Sequence, residues 1–211
     1  MHIKKLVLSL PRFVNKPILA FIDHSQVLLW RLNGKSIPIP PPIKAKTIIA
    51  YAKKYKISNL VETGTYLGET VLATKGYFQK IYSIELGRDL YILAEKTFAD
   101  DKNVKIIYGD SANVLPRIVK KINKPCVFWL DAHFSEGITT KGATETPIME
   151  ELKIISKSKT KNHLILIDDA RFFTGNNGYP TIKEVKTFVK ESLPKHKIYI
   201  ENDIIIITPK I

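Results

Sequence analysis

Cysteine is almost missing from this chain of 211 residues, which has only Cys126, inside the apolar run PCVFWL. A disulfide framework is excluded, and this usage fits a reducing cytoplasm. Also missing is any uncharged apolar run near the ~18 residues that a membrane-spanning helix needs. The nearest candidate is the N-terminal stretch MHIKKLVLSLPRFVNKPILAFIDHSQVLLW. It is broken by Pro11, Pro17, Arg12, Lys16 and Asp23, and no small-residue cleavage site follows. Neither a transmembrane anchor nor a secretory signal is expected. Three roles for residues 1–40 stay open: packing on the same domain, self-association, or resting peripherally on an anionic membrane.

Acidic residues are in deficit, 20 against 33 basic, for a formal charge of +13. That balance suits nucleic acid, an anionic lipid face or an acidic substrate. The lysines are scattered, however, in pairs such as Lys4-Lys5, Lys53-Lys54 and Lys120-Lys121 that read as solvated helix faces. Repeats and low-complexity tracts are absent apart from IPIPPP, residues 37–42, a stiff spacer. The expected organisation is an appendage over 1–42, helical or extended and ending in the spacer, and one main domain over 43–211. A hydrophobic content of 45% suffices for that single core.

Beyond the spacer, helices and strands alternate. Helices are expected at 44–55, 68–77, 88–100, 112–122, 147–157 and 181–192. Strands are expected at 59–63, 80–86, 104–108, 126–130 and 163–167. This alternation implies a parallel sheet covered on both faces. The end differs: KIYIEN and DIIIITPK are separated only by a turn at Asn202-Asp203, and so short a turn joins antiparallel strands.

In open α/β sheets the ligand lies beyond the carboxyl ends of the strands, and here those ends carry the chemistry. The first strand ends as VETGTYLGET, with Glu62 followed by Gly64 and Gly68, where glycine lets backbone approach a ligand. Glu85 ends the second strand, placed to accept both hydroxyls of a ribose. The third ends in GDS, with Asp110 and Ser111 placed for an adenine amine and ring edge. Together these describe an adenosine-containing cofactor. Tyr66 stands where a dinucleotide fingerprint needs its second glycine, which argues against NAD and flavin. The fourth strand stops in FWLDAHFSEG and the fifth in LILIDDARFF, so Asp131, Asp168 and Asp169 are expected to converge. Uncompensated carboxylates raise one another's pKa, and a hard divalent cation removes the repulsion.

The ordered set resembles the class I S-adenosylmethionine-dependent methyltransferases over about residues 44–211. The resemblance implies a Rossmann-like α/β fold with a mostly parallel seven-stranded sheet, helices on both faces, and a C-terminal antiparallel hairpin whose last strand inserts between its neighbours. It also implies S-adenosyl-L-methionine as cofactor, with the glycine loop holding the methionine moiety and Glu85 the ribose. The acidic ends resemble those of metal-dependent O-methyltransferases, among them the macrocin and novobiocin sugar enzymes and, more distantly, catechol O-methyltransferase. By that resemblance Asp131, Asp168 and Asp169 are metal ligands, for Mg2+ or a similar ion, and His133 takes the place of the sugar enzymes' second aspartate, the general base. LDAH, TPIMEEL, LIDDARFF and YPTIKEV further resemble uncharacterised bacterial relatives.

The implied reaction is methyl transfer to a hydroxyl of a small molecule or a glycan sugar. Two rivals stand beside it. A nucleic-acid methyltransferase would suit the charge, but amino-group enzymes of that kind carry Pro-Pro and an aromatic where this chain reads Asp131-Ala132-His133-Phe134. A non-catalytic module would bind S-adenosylmethionine or S-adenosylhomocysteine without turnover. Among blander readings, Asp168 or Asp169 caps a turn, Asp131 serves only the cofactor's amino group, and His163 is structural. Ser135 to Thr146, rich in Gly and Thr, is a candidate lid.

Overall fold

The computed structural model describes residues 7, 12–131 and 146–210. A long helix, α1 (Arg12–Leu32), leads into α2 (Pro41–Lys54). The alternating units are β1 (Asn59–Thr63), α3 (Glu69–Thr74), β2 (Lys80–Glu85), α4 (Arg88–Thr97), β3 (Val104–Tyr108), α5 (Ser111–Lys121), β4 (Val127–Leu130), α6 (Ile148–Ser156) and β5 (Leu164–Ile167). A single 3-10 turn (Ala170–Phe172), α7 (Ile182–Ser192) and the hairpin β6 (His196–Glu201) and β7 (Ile204–Pro209) complete the chain.

The seven strands form one sheet in the order β3-β2-β1-β4-β5-β7-β6, with β7 antiparallel to both neighbours and the other pairings parallel. This is the Rossmann-like arrangement expected above, with helices on both faces. Strands buried on both sides must be apolar throughout. VFWL, LILI and the run Ile204–Ile207 meet that demand and are fully buried. Side chains alternate along a strand, so they fall into two cores. Phe128, Leu130, Ile165 and Ile167 join α5, α6 and α7 on one face. Val127, Trp129, Leu164 and Leu166 join α2 and α3 on the other.

Pro41 and Pro42 are the first residues of α2, and Ile39 is 3% exposed within the second core. Proline suits that place because the first helical N–H groups lack an intrahelical acceptor anyway. In α1, Leu19 is buried with Leu67 and Leu90, while Phe21, Leu28, Leu29 and Leu32 are exposed. Among the described residues no helix is long and apolar enough to cross a membrane.

His163 is structural, as expected. Its Nδ1 accepts the Cys126 N–H at 3.1 Å and its Nε2 lies 3.0 Å from Ser158 Oγ. Burial lowers its pKa to about 4, which keeps the ring neutral.

Candidate functional site

The parallel register brings the carboxyl ends of β1, β4 and β5 level, with Thr63 beside Leu130 and Leu130 beside Ile167. The ladder continues one residue further. The Asp131 N–H donates to the Thr63 carbonyl at 3.0 Å and the Asp168 N–H to the Leu130 carbonyl at 3.1 Å. Backbone pairing therefore sets Asp131 and Asp168 side by side. Asp169 follows with a left-handed backbone (φ 55°), uncommon outside glycine, that turns the chain off the sheet. One oxygen from each of the three carboxylates lies within 4.8 Å of the others.

The loop after β1 is shaped by positive φ at Gly64, Tyr66 and Gly68. Gly68 has no substitute: a Cβ there would lie 2.6 Å from Phe98 Cε2. Glu85 holds this loop from the end of β2, accepting the Tyr66 N–H at 2.7 Å and the Gly87 N–H at 2.8 Å. Burial raises its pKa and the backbone N–H bonds oppose the rise. Glu62 lies beneath, 1% exposed, and accepts the Ser83 hydroxyl, which in turn sits 2.6 Å from Thr65 Oγ1. Burial pushes the Glu62 carboxyl up to about 8, against hydrogen bonds from Ser83 and Thr70, so near pH 7 it is largely protonated. Asp110 caps α5 by accepting the Ala112 N–H at 2.8 Å, and Ser111 opens that helix, buried. The predicted cofactor residues thus line one edge of the sheet, continuous with the carboxylates. His133 and all but Thr146 of the expected lid lie outside the described residues.

The carboxylates are not alone. Lys44, from the first turn of α2, pairs with Asp168 Oδ2 and lies 3.8 Å from Asp169 Oδ1. The Arg171 guanidinium is 2.8 Å from Asp169 Oδ1 and pairs also with Asp203. Burial presses Lys44 toward the neutral amine, but Asp168, Asp131 and Asp169 outweigh it and raise its pKa. Burial raises Asp131 and Asp168, and their mutual repulsion adds to it at Asp131. Asp168 Oδ1 is buried with no aligned hydrogen bond among the described residues. Three hard oxygen donors with such an unsatisfied acceptor fit a divalent cation of the magnesium or calcium type.

Three more groups belong to this region without having been singled out. Lys44 gives no sequence signal, standing among other lysines on an ordinary helix. Glu151 did give one: it shares the stripe Ile148, Leu152 and Ile155, an acid where the helix period demands an apolar residue. Burial pushes it up to about 7, moderated by the nearby hydroxyls of Ser111 and Thr63, though among the described residues neither of its oxygens has an aligned hydrogen bond. Tyr179 stacks edge-on against Phe173 at 5.4 Å and has its pKa raised by burial and by Asp169 and Asp131. It also lines an open cleft of about 470 Å³ with Thr146, Met149, Pro180 and Thr181.

No family model matches the chain, and no curated protein does. Solved structures do. An O-methyltransferase from Bacillus cereus, in complex with S-adenosylhomocysteine, matches with a TM-score of 0.60 and 12% identity over 89% of each chain. The O-methyltransferase TomG from Streptomyces achromogenes, in complex with S-adenosylmethionine, matches at 0.57 and 14% over 82% of this chain and 81% of its own. An S-adenosylhomocysteine-bound methyltransferase from Podospora anserina matches at 0.57 and 15% over 96% and 98%. At such identities the likeness is one of fold alone: the Rossmann-like sheet described above is shared with these methyltransferases.

Proposed function

We propose that this chain is an S-adenosylmethionine-dependent methyltransferase acting on a hydroxyl of a small molecule or glycan sugar, assisted by a divalent cation. One observation carries the reading: the Glu85-held glycine loop and the carboxylates of Asp131, Asp168 and Asp169 share a single sheet edge. Glu85 would accept the ribose hydroxyls, Asp110 and Ser111 would meet the adenine edge, and the loop from Gly64 to Gly68, with Glu62 beneath it, would cradle the methionine moiety. Asp131, Asp168 and Asp169 would hold the cation, and Asp131 would also face the cofactor. Bound cofactor supplies the sulfonium methyl group, and a bound divalent ion supplies the positive charge that acidifies a hydroxyl. His133, two residues beyond Asp131, would take the hydroxyl proton, a role suited to a near-neutral imidazole. The cleft bordered by Tyr179, a ring whose pKa Asp169 and Asp131 help to raise, would offer an aromatic wall for a small acceptor. A macrocin- or novobiocin-type sugar acceptor is favoured by the Asp168-Asp169 pair alone.

The test is incubation with labelled S-adenosylmethionine and a polar extract of source cells, with products read by mass spectrometry, with and without chelator. Label on a hydroxyl, lost in chelator and in Asp168→Asn, is expected. Full turnover of an Asp168→Asn, Asp169→Asn variant in chelator would remove the metal from the mechanism. The formal charge of +13 favours one second reading, a nucleic-acid acceptor. RNA and DNA arms in the same assay separate the two.

A further inference from the structure

Of the two cations that the described residues set on these carboxylates, Arg171 and Lys44, neither has a role in the proposed chemistry, and Lys44 is the one that bridges two of the acids. It arrives from α2, 124 residues before its partner Asp168, on a stem flexible enough to leave. Its side chain is 17% exposed, so a route to solvent exists. Arg171 reaches only Asp169 of the three acids and is shared with Asp203, whereas Lys44 bridges Asp168 and Asp169 and is drawn also by Asp131. One ammonium does not satisfy the site. Among the described residues Asp168 Oδ1 stays buried without an aligned hydrogen bond, although the neighbouring oxygen of the same carboxylate carries the lysine. A divalent cation offsets more of that charge and takes oxygen donors in a number that an ammonium cannot use. Both would seek the same oxygens: Lys44 already sits on Asp168 Oδ2 and beside Asp169 Oδ1, and an ion seated there would be a like charge at contact distance where solvent screens little.

We propose that Lys44 is the resident counter-ion of the carboxylate site and that a divalent cation enters by displacing it, so that metal loading is coupled to the first turn of α2. This rests on the metal reading of the preceding section. It goes beyond that reading by making Lys44 a competitor of the ion.

The probe is Mn2+ alone, added to the whole chain and read by electron paramagnetic resonance, with no cofactor or acceptor present. Lys44→Met should tighten Mn2+ binding at least ~10-fold, since it removes a competing charge, while Lys46→Met on the same helix should not. A second measurement uses the unaltered protein: acetylation of Lys44 by an amine reagent, followed by peptide mass spectrometry, should speed up several-fold when Mn2+ is added. Mn2+ binding to Lys44→Met as tightly as to the unaltered chain, or more weakly, would overturn the displacement and leave the metal reading standing. So would Lys44 acetylation that Mn2+ leaves unchanged while it binds. Binding only to Lys44→Met would support Lys44 as the occupant and remove the metal from the native protein. Binding to neither would end both readings.

Discussion

Replacing Glu62 by glutamine should change how stability responds to pH. Its carboxyl is 1% exposed, receives the Ser83 hydroxyl and sits near Glu85, and burial moves it from its ordinary 4.5 to about 8. The unfolded chain therefore releases this proton near pH 4.5 while the folded chain keeps it to about pH 8. Between those values the folded state binds more protons, so the Glu62 contribution to stability is intact below pH 4.5 and is lost as pH rises toward 8. At ~1.4 kcal/mol per pH unit the ceiling is about 5 kcal/mol, and local relaxation brings the expected loss to about 2–4 kcal/mol. Glutamine copies the shape and neutrality of the protonated acid. Glu62→Gln should thus lie close to the unaltered protein at pH 5, where under ~1 kcal/mol has been lost, and melt higher at pH 8, by roughly 4–16 °C for a domain of this size. The assay is calorimetric melting of both proteins at pH 5, 6.5 and 8. Glu151, pushed up to about 7, tilts both curves alike, so the difference between them isolates Glu62. Melting temperatures that differ by the same amount at pH 5 and pH 8 would refute the argument.

Three further outcomes are expected. Gly68→Ala must place a Cβ at φ +73° and 2.6 Å from Phe98, which should lower unfolding free energy in urea by about 2–4 kcal/mol; a loss below ~1 kcal/mol would mean that the loop adjusts freely. Asp203→Ala removes the acceptor of the Arg171 N–H at 2.8 Å and one of the two carboxylates on its guanidinium, for a loss of about 2–3 kcal/mol in the same assay, and an unchanged midpoint would count against it. Glu85→Ala should weaken S-adenosylhomocysteine about 10- to 100-fold by calorimetry, with NAD weaker still on the unaltered protein; equal affinity in the variant, or tighter NAD, would remove the adenosine reading.

Much of the architecture was legible because burial on both sheet faces leaves an unambiguous trace. VFWL and LILI are short apolar runs between longer helical patterns, which reads as strands covered on both sides, and the two-residue gap at Asn202-Asp203 joins antiparallel neighbours. The placement of Glu85, Asp131 and Asp168 was legible because each ends a parallel strand, and strand order carries such residues to one edge. Glu151 was visible in principle as an acid on an apolar helical stripe, and its meaning depended on knowing that α6 packs against α5.

What only the tertiary structure decided is what stands opposite these groups. Chain periodicity has no term for a partner 124 residues away, so Lys44 reads locally as one more solvated helix lysine and becomes the half-buried ion-pair partner of Asp168 only when α2 is laid against the end of β5. Arg171 and Asp203 meet for the same reason, through a hairpin that folds back beside β5. Local sequence determines which elements form and which face is apolar, because those depend on neighbours along the chain. Charge compensation depends on neighbours in space.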